Sequence, residues 1–172
     1  MKMLFPVSVG ILLTTSLYAA PMGPKLTEAE ITNAIMTVNT EEMNLANIAK
    51  QYASNQKVKS FANQMFTDHS TNNDVAQGLQ QKENLKLKET ADSMKIKFSS
   101  EDEVEKLKTL RGKSFDKAYI KSEVGMHKTV LDKINHEYIP NTQDKDLRAL
   151  LDKTKAKVEQ HLKMAEEINK TL

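Results

Sequence analysis

The stretch from Val58 to Leu79 constrains the fold of this chain most, because its apolar residues recur at helical spacing. The middle of the apolar stripe is polar: it contains His69, with Asp68 next to it in sequence. A helix of this kind buries its apolar face against other helices, and the histidine is expected to be buried with it. The stripe consists of Val58, Ala62, Met65, His69, Asn72, Ala76 and Leu79.

Three further segments show the same arrangement, an amphipathic helix with one ionisable residue in the middle of its apolar stripe. Together with the first stretch they predict four long helices, which have to pack on one another to bury their stripes. The predicted helices and their central residues are about 27–53 with Glu42, about 57–84 with His69, about 114–139 with His127, and about 145–171 with His161.

Local signals mark several of the predicted helix ends. Thr27 and Glu30 form a capping box at the start of the first helix. Ser114 is expected to cap the third long helix, and Pro140 to end it. Residues 54–56 leave room only for a tight reversal, so the first two long helices should be antiparallel.

The connection between the second and third long helices is longer. Residues 85–99 alternate apolar residues and lysine at both ends, so a two-stranded hairpin is conceivable, but a long crossover with some helix is favoured. The sequence Ser100-Glu101-Asp102-Glu103 matches a capping box and predicts a short helix over about 100–111. Short, long and short connections together predict an all-α, ferritin-like four-helix bundle with a long crossover between the second and third long helices.

Residues 1–20 have the features of a secretory signal peptide. Lys2 is followed by an apolar segment and by small residues that allow cleavage after Ala19 or Ala20. The apolar segment is shorter than the roughly 20 residues that span a bilayer, so no stable membrane insertion is expected after signal removal. We therefore expect an exported, periplasmic or cell-envelope protein whose residues 21–172 form a single helical-bundle domain. The chain has no cysteine, which excludes a disulfide and a lipid-modified cysteine anchor.

Composition and motifs argue against several classes of function. The 25 basic and 23 acidic residues nearly balance, which gives no support to nucleic-acid binding. No serine lies in a nucleophile-elbow context, and there is no glycine-rich phosphate loop. No histidine is preceded by glutamate at the third position before it, so the Glu-x-x-His motif of di-iron bundles is absent. We expect no catalytic residues and no enzyme. A protein partner and a homo-oligomer are left open.

The four central ionisable residues should lie at one height in the bundle. Glu42 comes about 13 residues before the turn at Asn55 and His69 about 14 after it, which places them level at 1.5 Å per residue. The same count from Pro140 brings His127 and His161 within about one turn of each other. Buried charges cost several kcal/mol when unpaired, so these groups either hydrogen-bond to one another or hold a cation.

A metal site at this level is the leading hypothesis, since three imidazoles and a carboxylate suit one Zn, Cu or Fe ion. The candidate ligands are Glu42, His69, His127 and His161. A different helix rotation would present Glu41 in place of Glu42. Asp68 and Glu123 are suited to accept the histidine N–H groups, and Met65 and Met126 lie near this level. Metal handling or sensing is the favoured role. One alternative is a structural or stress-related interaction module with a hydrogen-bonded polar core, and a second is a metal-dependent redox enzyme.

Three segments of the chain resemble a bacterial family, the domain of unknown function 4142. They are FANQMFTDHSTNN in the second helix, SFDKAYIKSEVGMHKTVLD in the third and VEQHLKMA in the fourth. The similarity covers about residues 26–172 and implies a ferritin-like bundle in exported proteins, many of them labelled outer-membrane proteins. It implies no reaction. The positions that match the family pattern are Asp68, His69, Asp116, Tyr119, His127 and His161.

Overall fold

The computed structural model describes residues 25–172, so the predicted signal peptide at residues 1–20 lies outside the described residues. Within the described part every regular element is a helix. No helix in residues 25–172 is both long and apolar enough to cross a membrane. The helices are α1 Glu28–Tyr52, α2 Gln56–Lys82, α3 Ala91–Lys108, α4 Gly112–Lys133, α5 Ile139–Asn141 and α6 Lys145–Asn169, with a π-helical turn, Ile134–Tyr138, between α4 and α5.

The long helices α1, α2, α4 and α6 form a bundle, and α3 packs along α1. At one end, the Asp116 carboxylate near the start of α4 accepts hydrogen bonds from the backbone N–H groups of Ser54 and Asn55 in the α1–α2 turn. At the other end, Lys82 in the last turn of α2 pairs with Asp146 in the first turn of α6. Helices α2 and α4 therefore run in the same direction, and α3 returns the chain along the bundle. This confirms the predicted all-α four-helix bundle with a long crossover.

The start of α1 follows its sequence signal. The Thr27 hydroxyl accepts from the backbone N–H of Glu30, and the Glu30 carboxylate accepts from the backbone N–H of Thr27. This reciprocal pair is the predicted capping box. Asn55 caps α2 in a similar way, because its side chain accepts from the backbone N–H of Lys57 at 2.8 Å.

The crossover contains helix, as the sequence favours, but the bounds and the capping box of that helix differ from the prediction. The short helix begins at Ala91 and ends at Lys108, so it covers most of the stretch for which a hairpin was conceivable. Its capping box is formed by Thr90 and Ser93, and Ser100 is a buried residue in its interior. The match at Ser100-Glu101-Asp102-Glu103 is therefore fortuitous. Burial of Ile96 in an apolar cluster of the bundle favours helix over the strand-like alternation of the sequence.

The ends of the third long helix also differ from the prediction. Helix α4 begins at Gly112, whose φ of +58° is readily adopted by glycine, and not at a cap provided by Ser114. At the other end Pro140 does not end the helical stretch but lies inside α5. Proline lacks an N–H and crowds the preceding turn, and the wider π-helical turn before it leaves room for the ring.

The core consists of two apolar clusters separated by a polar layer. Along α1 the first cluster ends at Val38 and the second begins at Leu45; along α2 the change falls between Met65 and Ala76. The same change occurs near the middle of α4 and of α6. The buried polar residues that fill these gaps are Asn39, Glu42, His69, Glu123, His127 and His161.

Candidate metal centre

Three histidines from three helices meet in the polar layer. His69 on α2, His127 on α4 and His161 on α6 are at most 4% exposed. One ring nitrogen of each lies within 4.8 Å of a ring nitrogen of the other two. The ring centroids are 5.4 to 6.1 Å apart. We call these residues the histidine triad.

Each ring of the triad is held by an oxygen acceptor on one of its two nitrogens. Because a carbonyl or carboxylate oxygen only accepts, the nitrogen facing it must carry the ring proton. The other nitrogen then has a free lone pair. The pairs are His69 Nδ1 with Asn39 Oδ1 at 2.9 Å, His127 Nδ1 with the backbone oxygen of Glu123 at 2.8 Å, and His161 Nε2 with Asp68 Oδ2 at 2.9 Å.

The free nitrogens are Nε2 of His69, Nε2 of His127 and Nδ1 of His161. All three are buried and find no hydrogen-bond partner among residues 25–172. Buried nitrogens in folded proteins nearly always have a partner. The triad therefore presents three unused lone pairs in the interior of the bundle.

The triad is neutral at neutral pH. Burial lowers the pKa of all three histidines, that of His127 to about 3 and that of His69 well below its ordinary value, where the neighbouring imidazoles lower it further. Burial alone would raise the pKa of Asp68, but the hydrogen bond from His161 and the charge of Lys157 hold it below its usual range. Neutral imidazole with an ionised carboxylate behind it is the form in which histidine binds metals.

A second buried group lies next to the triad and consists of Glu42 and Glu123, here called the carboxylate pair. One ligand atom of each and of His127 lie within 4.8 Å of one another. Glu42 Oε1 is 3.8 Å and Glu123 Oε2 is 3.5 Å from Nδ1 of His127. Burial raises the pKa of Glu123 to about 7, and burial together with the charge of Glu123 raises that of Glu42 well above its ordinary value.

The structure divides the four predicted ligands between these two groups. His69, His127 and His161 form the triad, whereas Glu42 lies with Glu123 beside the Nδ1 edge of His127. Glu41 is also buried, but its carboxylate accepts from the side chain of Asn44 on the same helix.

The expected partners of the histidine N–H groups are placed in part as predicted. Asp68 accepts from His161. For Glu123 the backbone oxygen, and not the carboxylate, accepts from His127 at hydrogen-bond distance. Met65 belongs to one apolar cluster and Met126 packs against the other.

Asn39 is the functional candidate that the sequence analysis missed. It is 1% exposed, and its Oδ1 also accepts from the side chain of Asn72 at 3.2 Å. The Oδ1 of Asn72 in turn accepts from the Thr154 hydroxyl at 3.0 Å. The only signal in the sequence is the position of Asn39 one turn before Glu42 on the same helix face.

Besides Asp68, two residues of the family pattern lie outside the triad. Asp116 holds the α1–α2 turn through Ser54 and Asn55. Tyr119 is fully buried, its hydroxyl has no hydrogen-bond partner in the described part of the chain, and burial followed by the charges of Glu123 and Glu42 raises its pKa well above the ordinary value.

Fold and site together define a helical-bundle protein with a buried layer of histidines and carboxylates. The chain belongs to the family described as Domain of unknown function (DUF4142), whose sequence pattern matches residues 14–168. This confirms the resemblance found in the sequence. Comparison with curated proteins and with solved structures gives no match.

Proposed function

We propose that this protein binds one transition-metal ion through the histidine triad. The observation that carries the proposal is the convergence of three buried imidazoles, each with one nitrogen fixed by an oxygen acceptor and the other without a partner. Outer hydrogen bonds of this kind orient metal-binding histidines and select the tautomer that leaves the ligand nitrogen free.

A purely hydrogen-bonded core explains the triad less well. The three nitrogens are all acceptors, so they cannot bond to one another, and each buried unsatisfied polar group costs roughly 1–3 kcal/mol. A water molecule has two protons and can satisfy only two of the three lone pairs. A cation accepts all three, which favours metal binding over the interaction-module alternative.

The donor set favours Zn, Cu or Fe. Three neutral imidazoles suit these ions better than Mg²⁺ or Ca²⁺, which prefer oxygen ligands. Metal–nitrogen bonds of about 2.0–2.1 Å in a tetrahedral site require nitrogens roughly 3.4 Å apart. One nitrogen of each triad ring lies within 4.8 Å of the others, so metal binding requires the rings to close in on the ion. We assign the protein a role in metal handling or sensing in the periplasm or cell envelope.

The test uses the purified full chain and its single alanine variants. Elemental analysis and calorimetry with Zn²⁺ should show one tightly bound ion, and the melting temperature should rise with added Zn²⁺ and fall with chelator. His69→Ala and His161→Ala should lose the ion. His136→Ala is the matched control, because the side chain of His136 is 73% exposed. Absence of binding in the unaltered protein, or equal binding by the His69 and His161 variants, would overturn the proposal.

A further inference from the structure

We propose a second cation position, formed by the carboxylate pair Glu42 and Glu123 together with the Tyr119 hydroxyl, for a divalent ion that prefers oxygen ligands. It lies beside the histidine triad and uses different ligand atoms. The bundle would then hold two ions of different chemistry in one polar layer, whereas the sequence predicts one.

The geometry of the carboxylate pair supports this position. Glu42 comes from α1 and Glu123 from α4, and each is 1% exposed. Oε2 of Glu42 and both carboxylate oxygens of Glu123 have no hydrogen-bond partner within the described chain, and the same is true of the Tyr119 hydroxyl. A buried acidic pair with this many free oxygens lacks the partners that normally accompany buried carboxylates.

Charge balance gives a second reason. With both carboxyls ionised, the pair would carry a charge of −2 in a dry interior, where unpaired charges cost several kcal/mol each, and burial accordingly raises the pKa of both. One divalent cation neutralises the pair. The triad, in contrast, offers only neutral nitrogens, so the two groups should prefer different ions: Zn or Cu at nitrogen, and Mn²⁺ at oxygen.

The protonated Nδ1 of His127 lies on the side of the carboxylate pair and cannot act as a ligand there. It donates to the backbone oxygen of Glu123 and therefore presents a proton to the carboxylate side. This nitrogen is not available as a ligand for the second ion, which must draw on oxygen atoms. His127 thus contributes Nε2 to the triad and only its N–H edge to the carboxylate pair.

A surface cleft lies near this position. It has a volume of about 420 Å³ and lies between α3, α4 and the middle of α1. Leu45 and Met126 line it, and each is one helical turn from a member of the carboxylate pair. Asp92 and Glu103 line it together with Lys95 and Lys133, so its lining carries two charges of each sign.

The experiment loads the full chain with one equivalent of Zn²⁺ and then titrates it with Mn²⁺. Bound Mn²⁺ is counted by electron paramagnetic resonance and by elemental analysis after desalting. We expect one Mn²⁺ in addition to one Zn²⁺. Glu42→Gln and Glu123→Gln should lose the Mn²⁺ and keep the Zn²⁺. Glu41→Gln is the matched control, since Glu41 is a buried neighbour that lies outside the carboxylate pair.

The outcomes separate this inference from the proposed function. Zn²⁺ binding without Mn²⁺ binding in the unaltered protein overturns the second position and leaves the triad intact. Mn²⁺ binding that survives both glutamine substitutions overturns it as well. Mn²⁺ binding that persists when His69→Ala abolishes Zn²⁺ binding supports two separate positions. The stoichiometry of the unaltered protein decides the matter even if a variant does not fold.

Discussion

His161 donates its Nε2–H to Asp68 Oδ2 at 2.9 Å, across the contact between α6 and α2. Asp68 directly precedes His69, so two consecutive residues of α2 serve different rings of the triad. His69 provides one ring, and Asp68 orients another that belongs to a helix distant in sequence. The Asp-His pair of the sequence thus connects two rings of the triad, and Asp68 is not the partner of the histidine that follows it.

Asp68→Asn should weaken Zn²⁺ binding by about 10- to 100-fold, the usual cost of removing an outer hydrogen-bonding partner of a metal-bound histidine. The amide still accepts a hydrogen bond but lacks the charge that makes the imidazole more basic. Calorimetry measures the change in affinity. Asp132→Asn is the control, because Asp132 contacts the exposed His136 at 2.9 Å. Equal losses in both variants would contradict this role of Asp68.

Glu123→Gln should stabilise the metal-free protein more at pH 8 than at pH 5. Burial raises the pKa of Glu123 to about 7, from 4.5. The folded state thus keeps a proton that the unfolded state releases, and the stability present below pH 4.5 is lost as the pH rises through 7. Glutamine does not titrate. At pH 8 the free energy of unfolding of the variant should therefore exceed that of the unaltered protein by on the order of 2 kcal/mol.

Urea unfolding of chelator-treated protein at the two pH values measures this difference. The control is Glu105→Gln, since the Glu105 side chain is 74% exposed and should show no comparable gain. A stability difference between the Glu123 variant and the unaltered protein that is the same at both pH values would show that the buried carboxyl does not titrate in this range.

Asp116→Ala should destabilise the bundle by roughly 2–4 kcal/mol without changing metal stoichiometry. The buried carboxylate accepts from the backbone N–H groups of Ser54 and Asn55, both at 2.9 Å, and from the Ser54 hydroxyl. Asp116→Asn retains one acceptor oxygen, so its stability should lie between that of the unaltered protein and that of Asp116→Ala. Thermal unfolding measures the loss, and elemental analysis checks the ion. Loss of Zn²⁺ in a folded Asp116→Ala variant would assign this residue to the metal centre.

Helix α3 should exchange its amide hydrogens faster than the four long helices. Its buried residues are few, namely Ser93, Ile96, Ser100 and Leu107, and its outer face exposes Met94 and Phe98. Regions with little buried apolar surface open at lower free energy. Native-state hydrogen exchange tests this, and Ile96→Ala should speed exchange in α3 while leaving α2 unchanged. Uniform protection across α2 and α3 would show that the crossover opens only with the whole bundle.

The level of the polar layer could be predicted from the sequence because the helical rise is fixed and the α1–α2 connection is short. Counting from Asn55 places Glu42 and His69 at one height, and both lie in the layer that divides the core. Height along a helix depends only on residue number. It is therefore the coordinate of a helical bundle that a sequence gives most directly.

The rotation of each helix is harder to predict, and it decides which side chains meet. The sequence predicts Glu42 together with the three histidines, and the structure groups it with Glu123 and one of them, His127. Asn39 was missed for the same reason, since an asparagine on a partly polar helix face looks the same whether it faces solvent or a buried ring.

The crossover shows a different limit. Around Thr90 the lysine-rich alternation resembles a strand, and Ser93 in place of the usual acidic residue weakens the capping signal. The stronger match at Ser100 lies within a helix that has already begun. Burial against the bundle decides the outcome here, and local sequence carries little information about it.

The polar layer between the two apolar clusters has a consequence for how the helices align. Sliding α2 by one turn along its neighbours would move His69 among aliphatic side chains and bring hydrocarbon opposite the buried carboxylates. Both changes are costly, because each leaves a buried polar group without its counterpart. The layer therefore selects one register of the four amphipathic helices along the bundle axis, with or without an ion in place.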